Sequence, residues 1–492
     1  MTWWSYLRKL SWDGLAGKRL AALIAAAILS ALTFAVPAQA RAQYPYTLID
    51  PGTFGGPSSF LDAPGVELTD QGILLGTADT PTPNSAYDSC PSNFCDGYEQ
   101  HAFAWRDGRL IDLGTLRGRN GSAVYELNDY GVGAGVSQNG LDPASLLIAG
   151  VAVLFKGGRV VSLGTLPGGH VSFAQDINNR GQVAGNSSNG TPDPYSFFNW
   201  GTQTRGFVWQ DGVMRDLGTL GGADTVENSQ NQRGQITGWS YTNNTPNPAT
   251  GLPTTDPFLW TDGHMTDLGT LGGTFGMANW QNNAGEVVGQ SNMAGDQTAH
   301  PFLWHNGHMT DLGTLGGGYG FASWINDYGD VVGASLAPDQ AFHGFLWRQG
   351  KMTDLSPVGG APWAFANAVN DYDQVVGNES DTQGRELIAV LWAGGHGYDL
   401  NTLVAPNQMQ MVSADYINNQ GDIVGHGVLP NGDQRMFLLI RNPGVPLPSG
   451  STPPRPWPAI TGAPDHRISA ILALHAARHW AMSVPTNRLW HP

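Results

Sequence analysis

The 492-residue chain contains 67 Gly and 32 Pro, about a fifth of its length against an ordinary joint usage of roughly 12 %, which excludes a helical bundle or a coiled coil. Charged residues make up 13 % while 41 % are hydrophobic and 17 are Trp, so a disordered polyelectrolyte is excluded too and a large core is expected. The formal charge of −16 opposes phosphate backbones, so no nucleic-acid partner is expected.

Residues 1–20 carry Arg8, Lys9, Lys18 and Arg19 against Asp13, followed by the apolar run 21–36 and Pro37-Ala38-Gln39-Ala40. A basic start, an apolar stretch and an A-x-A site are the layout of a signal peptide spanning 1–40. The alternative is an uncleaved anchor, although the run is slightly short of the ~20 residues that span a bilayer. Cleavage after Ala40 leaves a chain with a charge near −19 and no integral membrane span. Such a chain is expected to be secreted or extracellular, with periplasm and cell surface as further options. Its two cysteines, Cys90 and Cys95, are expected to close a disulfide. The alternative, a metal pair, lacks two further ligands near by.

From residue 44 to 441 the chain is repetitive. The clearest copy starts at His300-Pro-Phe-Leu-Trp304, passes through Asp311-Leu-Gly-Thr-Leu, and ends at Asn326-Asp-Tyr-Gly329-Asp-Val-Val-Gly333-Ala-Ser335. The aromatic residue closing its first strand recurs at Trp105, Phe155, Trp209, Trp260, Trp304, Trp347 and Trp392, spacings of 43–54 residues and the size of a four-stranded propeller blade. Asp107-Gly108, Asp211-Gly212, Asp262-Gly263, Asn306-Gly307 and Gly394-Gly395 suit type I′ hairpins. Asn-x-x-Gly, as at Asn128, Asn178, Asn231, Asn282, Asn326 and Asn418, suits a type I turn, with Asn370…Asp373 as the deviant copy.

Each strand type occurs eight times if the degenerate copies Thr69–Gly76, Leu48–Thr53 and Arg435–Ile440 are counted. The chain thus begins with one part of a unit and ends with the complementary part, as a closed ring requires. We expect an all-β, eight-bladed β-propeller of four-stranded antiparallel blades, sealed by pairing of the N- and C-terminal strands. The expected order runs from Ser-x-Ala-x-x-Ile-Asn innermost through Val-Val-Gly and Phe-Leu-Trp to Asp-Leu-Gly-Thr outermost. Seven blades with one unit outside the ring is the alternative.

His101-Ala-Phe103, His300-Pro-Phe302 and His343-Gly-Phe345, with the Trp, Gly-turn, Asp-Leu-Gly-Thr-Leu and Asn-x-x-Gly-x-Val-Val-Gly signatures that follow them, resemble the extracellular HAF-repeat family over nearly all of 44–440. Val151-Ala-Val153, Arg205-Gly-Phe207 and Ile388-Ala-Val390 depart from the motif by lacking the His. The resemblance implies bacterial export and a repeat fold, and brings no activity or catalytic residues with it.

Chemistry is sparse. The serines of Gly-x-Ser at 137, 187, 240, 291 and 335 lack the second Gly of a nucleophile elbow and read as strand ends. Asp112, Asp216, Asp267, Asp311, Asp354 and Asp399 recur once per unit, too sparsely for Ca²⁺, and suit hydrogen bonding in the adjoining Gly-rich loop. Histidines 264, 300, 308, 343, 396 and 426 match no zinc spacing, so no metal is expected. Gly131-Val-Gly-Ala-Gly135 enters a strand and is no dinucleotide loop. The docking motifs of quinoprotein propellers are missing, and no cofactor is expected.

Binding is sought where the copies disagree. Two residues before each turn Asn the series reads Glu67, Glu126, Asp176, Ser229, Trp280, Trp324, Ala368, Tyr416. It sets acids on one arc of the channel mouth and aromatics across from them, a combination suited to sugar rings. The competing reading is that these residues fill gaps between blades. Long inserts at 79–100, 137–150, 187–204 and 241–255 form a second candidate surface on one face. Residues 442–492 read as a Pro-rich linker and a weakly ordered tail. The expected function is a non-enzymatic, monomeric scaffold that binds an extracellular glycan or protein, with Glu67, Glu126, Asp176, Trp280, Trp324 and Tyr416 as ligand-binding residues and none catalytic. The alternatives are a carbohydrate hydrolase or lyase using Glu67 or Glu126, and a structural envelope or matrix protein.

Overall fold

A computed structural model describes residues 44–61, 68–84, 97–116, 121–138, 150–248, 251–383 and 385–450. The leader, Glu67, Cys90, Cys95 and the tail after residue 450 lie outside them. Among the described residues no helix is long and apolar enough to cross a membrane.

The strands form six four-stranded sheets and one of eight strands. The large sheet is two blades joined by a single parallel pair, Thr255 with Phe275, so the chain builds eight antiparallel blades. We number them along the chain: 59–112, 122–164, 172–216, 225–267, 272–311, 320–355, 363–399, and 410–441 completed by 46–49. The strand order within a blade is the expected one, and the N-terminal strand Tyr46–Ile49 pairs antiparallel with Gln434–Arg441 as the outer edge of blade 8.

The same contact joins blade to blade and last to first. The N–H of the middle residue of the His-Ala-Phe slot donates to a serine opening the next inner strand: Ala102 to Ser122 at 3.0 Å, Ala152 to Ser172 at 2.8 Å, and Met436 to Ser59 at 3.1 Å. Apolar clusters straddle the seams likewise. Val424, Met436 and Leu438 of blade 8 pack with Leu74 and Phe103 of blade 1, as Leu154 of blade 2 packs with Ile177 and Phe207 of blade 3.

The turn asparagine does more than suit a type I turn. Asn282 Oδ1 accepts the N–H groups of Ala284 and Glu286, both at 3.0 Å, while its Nδ2 donates to the carbonyl of Asn326 in the next blade at 3.0 Å. The same interblade step runs from Asn128 to Asn178, Asn231 to Asn282, Asn326 to Asn370 and Asn370 to Asn418. Between these residues the inner strand carries a β-bulge in seven blades, for example between Ala278 and Trp280. A bulge leaves a carbonyl outside the ladder, and a buried carbonyl must be paired elsewhere. Asn228 Nδ2 of blade 4 reaches Ala278 O at 2.7 Å, and Asn279 Nδ2 of blade 5 reaches Ala322 O at 2.8 Å. The bulge also explains the Gly of Val-Val-Gly: a Cβ at Gly289 would lie 2.0 Å from Met277 O.

Asn282→Ala removes one interblade bond and the acceptor of two turn N–H groups from a buried site, so a loss of about 2–4 kcal/mol is expected. Asn283→Ala, which removes one exposed side-chain bond to Asp327 and one accepted from the Gln232 N–H, should cost under about 1 kcal/mol. Urea unfolding of both variants, compared at constant m-value, checks the pair.

Candidate functional site

An antiparallel blade turns alternately on the two faces of the disc. The Asn-x-x-Gly turns and Gly hairpins therefore share one face, and the inserts and blade-to-blade connections share the other. The series two residues before each turn Asn lies just after the bulge, at the turn-face mouth of the central channel. Of its eight positions, Glu67 lies outside the described residues.

The acidic arc is drawn into the seams. Glu126 is half-buried and its Oε2 accepts the N–H of Ile177 in blade 3 at 2.7 Å. Asp176 is buried and accepts from the backbone of Gln230 in blade 4. A third carboxyl joins them: Glu227, fully buried, stands where the other described blades carry Val124, Ala174, Ala278, Ala322, Ala366 and Ala414. Neither Glu227 carboxyl oxygen accepts from an N–H or hydroxyl group, and the same holds for Asp176 Oδ2. These three carboxyls face one another instead. Burial raises Asp176 to about 6, with Glu227, Glu126 and Gln230 hydrogen bonds pulling the other way. Burial and then the charge of Asp176 raise Glu227 well above the carboxylate range. The seam between blades 2, 3 and 4 thus holds carboxyls that keep their protons above the usual carboxylate range. The lone acid in a column of alanines was the signal for Glu227.

The opposite arc is aromatic. Trp280 and Trp324 of neighbouring blades stack with centroids 3.9 Å apart and planes at 20°. Tyr416 of blade 8 meets Trp324 at 5.5 Å edge-on, reaching past the buried Ala368 of blade 7. All three rings are half-buried. At the second turn position after Asn, Tyr328 and Tyr372 of blades 6 and 7 stand 75 % and 70 % exposed, and Tyr130 of blade 2 is exposed too. The corresponding residues are Arg180, Arg233, Ala284 and Gln420 in blades 3, 4, 5 and 8. The turn tyrosines were legible in the copies as a position that varies among Tyr, Arg, Gln and Ala.

The remaining recurrent residues are structural. His101, His300 and His343 place Nδ1 2.9 Å from Asp112, Asp311 and Asp354, and Arg205 takes that place beside Asp216. The same Asp accepts the N–H two residues on, as in Asp311 to Gly313 at 2.8 Å. Burial acts to raise Asp112, but the hydrogen bonds of His101 and Gly114 outweigh it and hold the carboxyl below its usual range. Blade 4 instead sets Asp256 against Asp267, and burial and that neighbour raise Asp256 to about 6. The Gly-x-Ser serines accept a loop N–H, as Ser335 does from Leu315 at 3.0 Å. His426 bridges Asp415 at 3.0 Å and Glu386 at 2.6 Å through its two ring nitrogens. Burial opposes charge on this imidazole, but Glu386 and Asp415 raise it well above its ordinary value and tie blade 8 to blade 7. Among the described residues no three His, Cys, Asp or Glu side chains converge as metal ligands.

The carboxyl seam makes stability depend on pH. The unfolded chain releases the Asp176 proton near ~4, whereas the folded protein keeps it to about 6. Stability therefore falls as pH rises through that window. A two-unit shift corresponds to on the order of 2–3 kcal/mol, and Asp176→Asn, which removes this titrating group and the charge that helps raise Glu227, should leave a clearly smaller loss. Denaturant melts at pH 5 and pH 8 measure the difference, and equal differences in wild type and variant would count against the assignment.

No family model matches the chain, and no curated protein matches it in sequence. Solved structures similar to it include the acylaminoacyl peptidase of Pyrococcus horikoshii, at 12 % identity and a TM-score of 0.40 over 70 % of this chain and 53 % of that one. They also include the dipeptidyl peptidase 4 of Porphyromonas gingivalis, at 11 % identity and a TM-score of 0.45 over 81 % of this chain and 60 % of that one. The β-propeller domain of the Trilobed protease from Pyrococcus furiosus, described as an open velcro topology, shows 8 % identity and a TM-score of 0.36 over 81 % and 94 %. The chain thus spans little more than half the length of the two peptidases, and the likeness is one of fold.

Proposed function

We propose that the protein is an exported, non-enzymatic scaffold that binds a glycan at the turn-face mouth of its channel, along the aromatic arc of blades 5 to 8. The observation that carries this reading is the ring contact of Trp280, Trp324 and Tyr416 on one arc, with exposed Tyr328 and Tyr372 at the turns of blades 6 and 7. Aromatic rings with exposed faces stack on the CH faces of sugars, and tyrosine hydroxyls add hydrogen bonds. Export rests on the basic and apolar leader, and the likeness to HAF-repeat proteins agrees with it. The acids support the reading from the other side. Asp176 and Glu227 are spent on one another and on the seam, which leaves Glu126 as the half-buried acid of the arc.

The test is a glycan array probed with the purified protein, followed by titration of the best hit. Tyr328→Ala/Tyr372→Ala, which alters two exposed rings and no core contact, should weaken binding at least about tenfold. Trp324→Ala should weaken it further. An array without hits, or binding indifferent to the tyrosine pair, would reject the glycan reading.

A further inference from the structure

The turn face has an occupant within reach in the chain itself. Blades 6 and 7 present consecutive Asn-Asp-Tyr turns, Asn326-Asp327-Tyr328 and Asn370-Asp371-Tyr372, with both tyrosine rings exposed. The acids of these turns are held by neutral amides. Asp327 accepts the N–H of Asn283 at 2.9 Å and its Nδ2 at 3.0 Å, and Asp371 accepts Asn419 Nδ2 at 2.8 Å. The acids beside them, Asp330 and Asp373, share Arg348, whereas no cationic side chain pairs with Asp327 or Asp371 among the described residues. Two adjacent turns thus display open aromatic rings next to carboxylates that lack a cation.

The last strand leaves blade 8 on this same face. Arg441 N–H donates to Asp422 Oδ1 at 2.8 Å, directly after the Asn418…Gly421 turn. The chain then crosses to the rim of blade 7, where Leu447 packs on the buried cluster of blades 7 and 8 and Pro448 O accepts from Tyr398 OH at 3.2 Å. Tyr398 stands opposite Leu391, and Leu391 opposite Val376, four residues after Tyr372. Two to three strand spacings of ~4.8 Å across the blade and four residues of ~3.3 Å along it put this anchor within about 20 Å of Tyr372. Just beyond the described residues the sequence reads Pro453-Pro-Arg-Pro-Trp-Pro458. The residues from Ser449 to Trp457 can span roughly 28 Å even at the ~3.1 Å rise of a polyproline stretch.

We propose that the segment Pro453–Pro458 docks in cis on the turns of blades 6 and 7 and covers the rings that the glycan reading assigns to its ligand, so that the protein carries its own competitor. The docking stands on the turns and the tail, and only the competition rests on the glycan reading. Proline-rich segments suit aromatic surfaces because their backbone is already restricted and loses little entropy on binding. Pyrrolidine rings and Trp457 meet Tyr328 and Tyr372, and Arg455 brings the cation that Asp327 and Asp371 lack. Charge acts in the same direction over longer range: residues 451–492 hold Arg455, Arg467, Arg478 and Arg488 against Asp465, on a chain of net charge −16. The turn Asn128-Asp129-Tyr130 of blade 2 offers the same groups. It lies three blades around the ring from the anchor, so reach selects blades 6 and 7.

Photocrosslinking of the full chain tests the docking. A benzophenone-bearing phenylalanine in place of Trp457 should join to residues 326–330 and 370–374, with a yield that does not change on dilution. Tyr328→Ala/Tyr372→Ala should lower that yield at least about threefold, whereas Tyr130→Ala should leave it unchanged. Arg455→Ala/Trp457→Ala, which alters no residue of the propeller, should raise the affinity for the best glycan of the array by about three- to tenfold, because it removes a tethered competitor. Absence of crosslinks, crosslinks to other surfaces, or a yield that falls on dilution and joins two copies would each overturn docking in cis. Crosslinks at the two turns with an unchanged glycan affinity would overturn the competition. An array without hits would reject the glycan reading alone, since the crosslinks are read without any glycan.

Discussion

A disc of wedges stands or falls on its seams, and here the buried amide of the turn asparagine links most of them. Its oxygen closes the turn of its own blade, while its nitrogen takes the carbonyl of the next asparagine. Nothing in a single blade requires that second bond. It exists because bulged inner strands bring backbone carbonyls to a surface where water is excluded, and a buried carbonyl without a donor costs more than a formed hydrogen bond gains. Asn228, Asn279 and Asn367 answer the same need one step inward. The propeller is therefore a set of apolar wedges whose relative placement is specified by amides.

That division of labour decides what could be read from the chain. Strand count, strand order and the split blade were legible because they follow from the spacing of Trp, Gly and Asn, and the eight blades agree with the fuller count rather than with seven. The bulge was not legible: a one-residue register shift leaves no mark on the hydrophobic pattern when both flanking residues face a crowded channel. Its indirect signature was the amide three residues before the turn Asn, at Gln175, Asn228, Asn279 and Asn367. The acids of the channel series show the consequence. Without the bulge, Asp176 reads as a mouth residue; with it, the carboxyl turns into the seam and meets Glu227. The His of the repeat, whose purpose the motif left open, is the partner of the Asp-Leu-Gly aspartate, and two of its replacements follow that pairing: Arg205 keeps its acid, whereas Val151 sits in a blade that carries Ser162 instead.

The two faces of the disc differ for a topological reason. Turns of four residues leave little chain with which to build, so the turn face can vary only in the side chains it displays, as the position held by Tyr, Arg, Gln or Ala does. The opposite face receives the long connections, where whole structures such as the 192–201 insert can be added without touching the seams. Variation on either face is thus confined to positions that the packing rule leaves unassigned.

The split eighth blade has a bearing on how the molecule is made. Synthesis delivers Tyr46–Ile49 first and its partner Gln434–Arg441 last, so the opening strand waits unpaired through the making of nearly four hundred residues. Closing so long a loop is entropically slow but only logarithmically expensive. The hazard lies in the interval rather than in the end state: an identical molecule can offer the same final strand in trans, linking rings into chains. Met436, whose sulfur lies against Gly76 where other strands carry Ala, Gly or Pro, is a latch peculiar to that last junction. Fidelity of assembly is thereby concentrated in the strand that closes the ring.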